Sequence, residues 1–170
     1  IGRTGRLFAY EHWGAPPDIM TLAKALGGGV PIGAMLATEE VAASFTPGTH
    51  AATFGGNPLV TAAAIATLTT ILEQGLVARA GEMGGRVLQE LQTIQARHTA
   101  VKAVRGKGLL IGVELDREVR PVLNRCLEAG LLLSNAGEKV IRFAPPLIVS
   151  EEEVRAAAGI LDKVLQEVTA

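Results

Sequence analysis

One cysteine, one tryptophan, one tyrosine and three histidines are all that this 170-residue chain carries of those types. A single thiol, Cys126, cannot close an internal disulfide, so no disulfide framework holds the fold, and the pattern suits a reducing, cytoplasmic setting. Cys126 falls in a helical pattern beside Leu123 and Leu127, where packing is the expected role rather than nucleophilic attack. His12, His50 and His98 are isolated from one another and Cys126 has no nearby partner, so the spacing offers no metal-ligand cluster. Charge of one sign is also missing. Sixteen basic and seventeen acidic residues leave a formal net charge of −1, which gives no electrostatic footprint for nucleic acid or a membrane surface. No apolar run is long enough to span a bilayer, and no signal-peptide pattern is present. The glycine-rich stretch Gly27-Gly28-Gly29 is followed by Val30-Pro31 rather than Gly-Lys-Ser/Thr, which excludes a Walker A loop. No Gly-x-Gly-x-x-Gly follows a strand with an acidic residue downstream, which argues against a dinucleotide site.

What is present is a chain able to bury a core. Apolar residues make up 48% and charged residues 19%, which excludes disorder. Lys24 stands out in the stretch Thr21-Leu22-Ala23-Lys24-Ala25-Leu26-Gly27-Gly28-Gly29. Ile19-Met20-Thr21-Leu22 reads as a buried strand, and the glycines can take backbone angles closed to other residues. A lysine at a strand end among apolar neighbours is expected to be desolvated. Desolvation disfavours the ammonium, and a neutral amine can attack an aldehyde.

The rest of the chain reads as alternating strands and helices. Gly2 to Gly14 is expected to be loop and short helix, anchored by Phe8, Tyr10 and Trp13, with His12 a hydrogen-bonding neighbour. Ala34 to Ala37 reads as a second buried strand, and Thr38 to Val41 as a capped helical turn. Asn57-Pro58 opens a helix, with a side-chain cap followed by proline at the first position. Leu59 to Leu72 is apolar or small nearly all round, which predicts burial on several sides. Gly75 stops it. Leu76 to Ala96 carries one stripe of Val77, Ala80, Met83, Val87, Leu91 and Ile94.

Downstream, Val101–Arg105 and Leu109–Leu115 are predicted strands around Gly106-Lys107-Gly108, with Lys107 in a solvated turn. Arg117 to Ala129 is a predicted helix stopped at Gly130, Leu131 to Ser134 a strand, and Val140 to Phe143 another. Ser150 and Glu153 form a capping box for a last helix with Val154, Ala158, Leu161, Leu165 and Val168 on its buried face. The predicted fold class is α/β.

Four blocks carry a resemblance: Ile1 to Arg6 (Ile-Gly-Arg-Thr-Gly-Arg), Thr21 to Ala34, Thr53-Phe54-Gly55-Gly56-Asn57-Pro58, and Val140 to Leu147. Together, and in this order, they resemble the class III (omega-type) pyridoxal-phosphate aminotransferases, most closely the acetylornithine branch. The resemblance implies the C-terminal part of a fold-type I transferase, with residues 1–75 from the end of the large cofactor-binding domain and 76–170 forming the small C-terminal domain. It also implies that the chain is a portion of a longer enzyme. In the family, an Asp-Glu-x-Gln segment lies just before Ile1, and its aspartate pairs with the cofactor's pyridine nitrogen.

By the same resemblance, Lys24 is the Schiff-base lysine of pyridoxal 5'-phosphate and the proton shuttle. Thr53 donates its hydroxyl to the phosphate of a cofactor bound mainly by the neighbouring subunit, which implies a homodimer with shared active sites. Arg142 helps bind a substrate carboxylate. On residue chemistry alone, an arginine in the apolar run Ile141-Arg142-Phe143 needs an anionic partner, and a salt bridge to a buried glutamate is the other reading. Ala52 stands where acetylornithine enzymes often carry a serine that can contact substrate. The implied reaction moves the terminal amine of N-acetylornithine, or a similar omega-amine, to 2-oxoglutarate in arginine biosynthesis. The alternatives are succinylornithine, ornithine, lysine-pathway or 4-aminobutyrate transamination, or a non-catalytic fragment of such an enzyme.

Overall fold

The computed structural model describes residues 1–169 and divides into two compact units. One comprises Ile1 and Arg6–Leu76; the other comprises Gly2–Gly5 and the chain from Val77 onward.

The first unit begins with a 3-10 turn at Ala9–His12, in which Glu11 Oε1 accepts the Phe8 N–H at 2.9 Å. Phe8 and Tyr10 stack with ring centroids 6.2 Å apart. Trp13 does not serve as the expected anchor, being 67% exposed with its indole edge-on to His12. Strands β1 (Ile19–Leu22) and β2 (Ala34–Ala37) form a two-stranded antiparallel ribbon pairing Ile19 with Ala37 and Leu22 with Ala34. Both strands lie where the sequence predicts them, but neither is buried: Ile19, Met35 and Leu36 are each about half exposed. A two-stranded ribbon has no second layer of its own, so apolar composition alone does not bury it.

Helix α1 (Glu39–Ala42) is one turn, and Thr38 precedes it without making the predicted side-chain cap. Helix α2 (Pro58–Glu73) starts as the sequence dictates. Asn57 Oδ1 accepts the N–H groups of Leu59 and Val60 at 3.1 and 3.2 Å, and proline follows at a position needing no hydrogen bond. Its buried residues Val60, Ala64 and Ile71 fall on one narrow stripe. Leu59, Ile65 and Leu72 are exposed, so the helix is buried on one side rather than several.

The second unit has a single core. Helix α3 (Leu76–Arg97) lays Ala80, Met83, Val87, Leu91 and Ile94 along the buried stripe that the sequence predicts. Strands β3 (Val101–Lys107), β4 (Leu110–Leu115), β5 (Ser134–Asn135) and β6 (Val140–Phe143) make an antiparallel sheet in the order β3-β4-β6-β5. Ile111, Val113 and Leu115 of β4 and Ile141 and Phe143 of β6 turn inward, in a register pairing Ile111 with Phe143 and Val113 with Ile141. Helix α4 (Arg120–Glu128) adds Val122, Leu123 and Cys126 to this core. Helix α5 (Glu151–Thr169) adds Val154, Ala158, Leu161, Val164 and Leu165. Each fully buried leucine or isoleucine here contributes about 1.5–3 kcal/mol relative to its exposed state.

Three boundaries differ from the sequence reading. β3 runs on to Lys107, so the turn is Gly108–Leu109 and Lys107 is its exposed neighbour rather than its centre. Helix α4 starts at Arg120, not Arg117. Pro121 has no N–H to donate, so it fits the first turn and would break a helix begun four residues earlier. The predicted strand over Leu131–Ser134 overlaps the observed Ser134–Asn135 at Ser134 alone, because the residues paired with β6 are Ser134 and Asn135.

The segment Gly2–Gly5 is held on this unit by close backbone contact. A Cβ on Gly5 would lie 2.9 Å from Gly81 Cα, one on Gly84 would overlap the Gly108 carbonyl, and one on Gly108 would meet Arg3 O at 2.5 Å. Side chains at these positions would push the layers apart. The Leu109 N–H donates to Arg3 O at 2.8 Å, and Arg3 Nη1 donates to the carbonyls of Leu109 and Pro145 at 3.2 and 2.6 Å.

Candidate active site

Lys24 sits two residues beyond β1, where extended Ala23 hands the chain to a 3-10 turn at Lys24–Gly27. Its φ is +53°, and it is the single non-glycine residue in the left-handed region among those described. A side chain in that region is crowded by its own backbone, at a cost of order 1–3 kcal/mol that surrounding structure must sustain. The turn is fixed on both sides. Leu26 and Gly27 are buried, and the N–H groups of Leu26, Gly28 and Val30 donate to the carbonyls of Ala23, Ala25 and Gly27. Gly28 (φ +60°) rests on α2, where an added Cβ would lie 2.7 Å from Thr67 Oγ1. Thr67 is itself locked by donating to Ala63 O at 2.8 Å. The apolar enclosure expected around Lys24 is not found: its side chain is exposed, since only Leu26 and Gly27 of the turn are covered.

Thr53 and Ala52 lie in the tight turn preceding α2, closed by the Gly55 N–H donating to Ala52 O at 3.2 Å. Both are exposed. Gly55 allows the turn to fold against Ala52, whose Cβ would lie 2.8 Å from a Cβ at position 55. Asn57 both caps α2 and donates from Nδ2 to Phe54 O at 2.8 Å, fixing the turn to the helix. The cap takes the Leu59 and Val60 amides, so those two N–H groups are committed to Asn57. The Thr53 hydroxyl remains the polar group the turn presents. Along α2, Asn57 and Thr67 are ten residues apart, about 15 Å of helix. The Thr53 turn and the contact that seats the Lys24 turn are therefore at different levels of α2.

Arg142 belongs to the second unit. Strand alternation sends Ile141 and Phe143 into the core and Arg142 outward, so it is exposed rather than buried in the apolar run. The expected anionic partner is absent among the described residues: its neighbour is Ser134, whose Oγ accepts the Arg142 Nε–H at 3.0 Å. The alternation explains both findings, because an outward arginine keeps its hydration and needs no buried carboxylate. Arg142 and Ser134 face an open groove of about 540 Å³ whose other walls include Leu131, Phe143, Pro145 and Val149. Ser134 escaped the sequence reading because its pairing with Arg142 depends on strand register.

Cys126 is fully buried, and burial pushes its thiol up to about 11. It packs in the core, as its neighbours predict.

A family model described as aminotransferase class-III matches residues 1–165. The acetylornithine aminotransferase of Caldanaerobacter subterraneus subsp. tengcongensis is 52% identical over 169 residues, covering 99% of this chain and 43% of that protein. Among solved structures, acetylornithine aminotransferase from Elizabethkingia anophelis superimposes with a TM-score of 0.89 at 35% identity, over 98% of this chain and 43% of that one. Ornithine aminotransferase from Toxoplasma gondii ME49 gives 0.91 at 37% identity, over 99% and 41%. The chain thus spans less than half the length of the relatives it matches. Over that span its mixed α/β structure is that of the fold-type I aminotransferases. The chain belongs to the class III aminotransferases.

Proposed function

We propose that this class III aminotransferase chain supplies Lys24, Thr53 and Arg142 to a pyridoxal-phosphate transaminase that moves the terminal amine of N-acetylornithine to 2-oxoglutarate. The observation that carries the reading is the left-handed backbone of Lys24, held at φ +53° by a turn seated on α2. A strained non-glycine residue persists where the surrounding structure over-determines it, and such residues cluster at sites of chemistry.

The residues present fit the cofactor. Lys24 offers an accessible primary amine at a fixed backbone position, the requirement for attaching an aldehyde. Thr53 offers an exposed hydroxyl donor on a turn braced by Asn57, suited to a phosphate oxygen. Pyridoxal phosphate, when bound, supplies an electron sink for the substrate carbon. Lys24 Nζ would hold the group before substrate arrives and, once released, would take the proton from the substrate carbon and return it across the nitrogen, a 1,3 shift. Proton transfer by a positioned group is worth about 10²–10⁴-fold. The planar guanidinium of Arg142 suits a substrate carboxylate.

Residues 1–75 belong in this reading to the large cofactor-binding domain and 76–170 to the small domain. The separation of the Thr53 turn from the Lys24 seat along α2 supports a homodimer in which Thr53 serves the neighbouring subunit's cofactor. The exposed apolar residues Leu59, Ile65 and Leu72 give such a partner surface to cover. The fully buried, uncharged thiol of Cys126 suits a cytoplasmic enzyme.

Ala52 favours one second reading. With a methyl where acetylornithine enzymes often have serine, a different omega-amine, such as ornithine, succinylornithine or 4-aminobutyrate, is accommodated. Glutamate formation from each amine with 2-oxoglutarate, compared as kcat/KM, tests the assignment. N-acetylornithine is expected to lead; a lead of tenfold or more for another amine would replace the substrate and keep the reaction class.

A further inference from the structure

Ser134 and Arg142 are directly paired across β5 and β6, and their side chains meet on the sheet face away from the core. On the other side of Arg142 the register places Gly112, whose outward face is covered by the apolar Val140 side chain, which offers the guanidinium no hydrogen-bond acceptor. A guanidinium can grip a carboxylate in two bidentate ways: side-on, through Nε and one Nη, or end-on, through both Nη groups. Here the Nε–H is already committed to Ser134 Oγ at 3.0 Å. No ion pair claims the two Nη groups among the described residues, and the side chain borders the groove formed with Leu131, Phe143, Pro145 and Val149.

We infer that Ser134 is a positioning residue: by occupying Nε it fixes the plane of the Arg142 guanidinium and restricts a substrate carboxylate to the end-on mode. This rests on the reading of Arg142 as the carboxylate binder. Ser134 touches no reacting atom; it lowers the orientational freedom that a long exposed arginine otherwise loses on binding. The Nε–H to Ser134 Oγ bond is the side-chain hydrogen bond that orients the guanidinium.

The test uses the full-length holoenzyme and three variants: Ser134→Thr, Ser134→Val and Arg142→Gln. Threonine and valine have the same shape and differ only in the hydroxyl, so unequal behaviour reports the hydrogen bond and not packing. Calorimetric titration with glutarate, an unreactive dicarboxylate, is read beside steady-state KM and kcat. Ser134→Thr is expected to match the wild type. Ser134→Val is expected to raise both the glutarate Kd and the carboxylate-substrate KM about 3–10-fold, with kcat unchanged. Equal glutarate binding by the Thr and Val variants, alongside loss of binding in Arg142→Gln, would overturn the positioning role and keep Arg142 as the carboxylate site. Unchanged glutarate binding in Arg142→Gln would instead remove the reading beneath it.

Discussion

Gly28 and Thr67 meet where the Lys24 turn rests on α2: a Cβ at position 28 would stand 2.7 Å from Thr67 Oγ1, and the glycine's φ is +60°. Space and backbone angle therefore both demand glycine at this point. The contact links a distant helix to the conformation of the proposed cofactor lysine. Gly28→Ala is expected to destabilise the fold by about 1–3 kcal/mol and to loosen the turn. Thermal melting would show the loss, and cofactor uptake would fall more than stability alone accounts for.

Lys24 itself carries strain that a glycine would release. Lys24→Gly is expected to stabilise the fold by about 0.5–1 kcal/mol while abolishing turnover. Denaturant unfolding set against activity checks the opposition. A Lys24→Gly variant that is both active and unchanged in stability would contradict the role assigned to this backbone.

Arg3 clamps the Gly2–Gly5 segment through Leu109 O and Pro145 O. Burial lowers its pKa without providing a carboxylate partner, so its contribution is the two hydrogen bonds and the packing of its stem. Arg3→Met keeps the stem and removes the donors. It is expected to cost about 1–3 kcal/mol in denaturant unfolding.

The capping box of α5 gives a pH signature. The Ser150 backbone N–H, then its hydroxyl, donate to Glu153 and hold its carboxyl below the ordinary 4.5. A carboxyl depressed in the folded state stabilises above its unfolded pKa, and that contribution disappears as pH falls through the folded pKa. The stability difference between wild type and Glu153→Gln should therefore be full at pH 7 and shrink steadily below about pH 4.5. A difference constant from pH 7 to pH 2.5 would exclude the ionised cap.

Local chemistry was legible wherever neighbours in sequence decide the outcome. Asn57-Pro58 opens α2, Ser150 and Glu153 cap α5, and the apolar stripe of α3 faces the core, all as their spacing implies. The ribbon strands β1 and β2 were equally clear in position. Burial was less legible, because it depends on which layer covers an element. Met35, Leu36 and Leu59 look like core residues in sequence and are exposed in this chain. Within the site, the glycines around Lys24 pointed to an unusual backbone, but its exposure could not be read from apolar neighbours. Arg142 was found as a candidate, whereas its serine partner and outward direction follow from strand pairing, which a single sequence does not reveal.

The attachment of the cofactor to Lys24 is tested most directly by borohydride reduction of the full-length protein incubated with pyridoxal phosphate, followed by peptide mapping. The account predicts stoichiometric labelling at Lys24 and none in Lys24→Ala. Labelling spread over several lysines, or absent from Lys24, would contradict it.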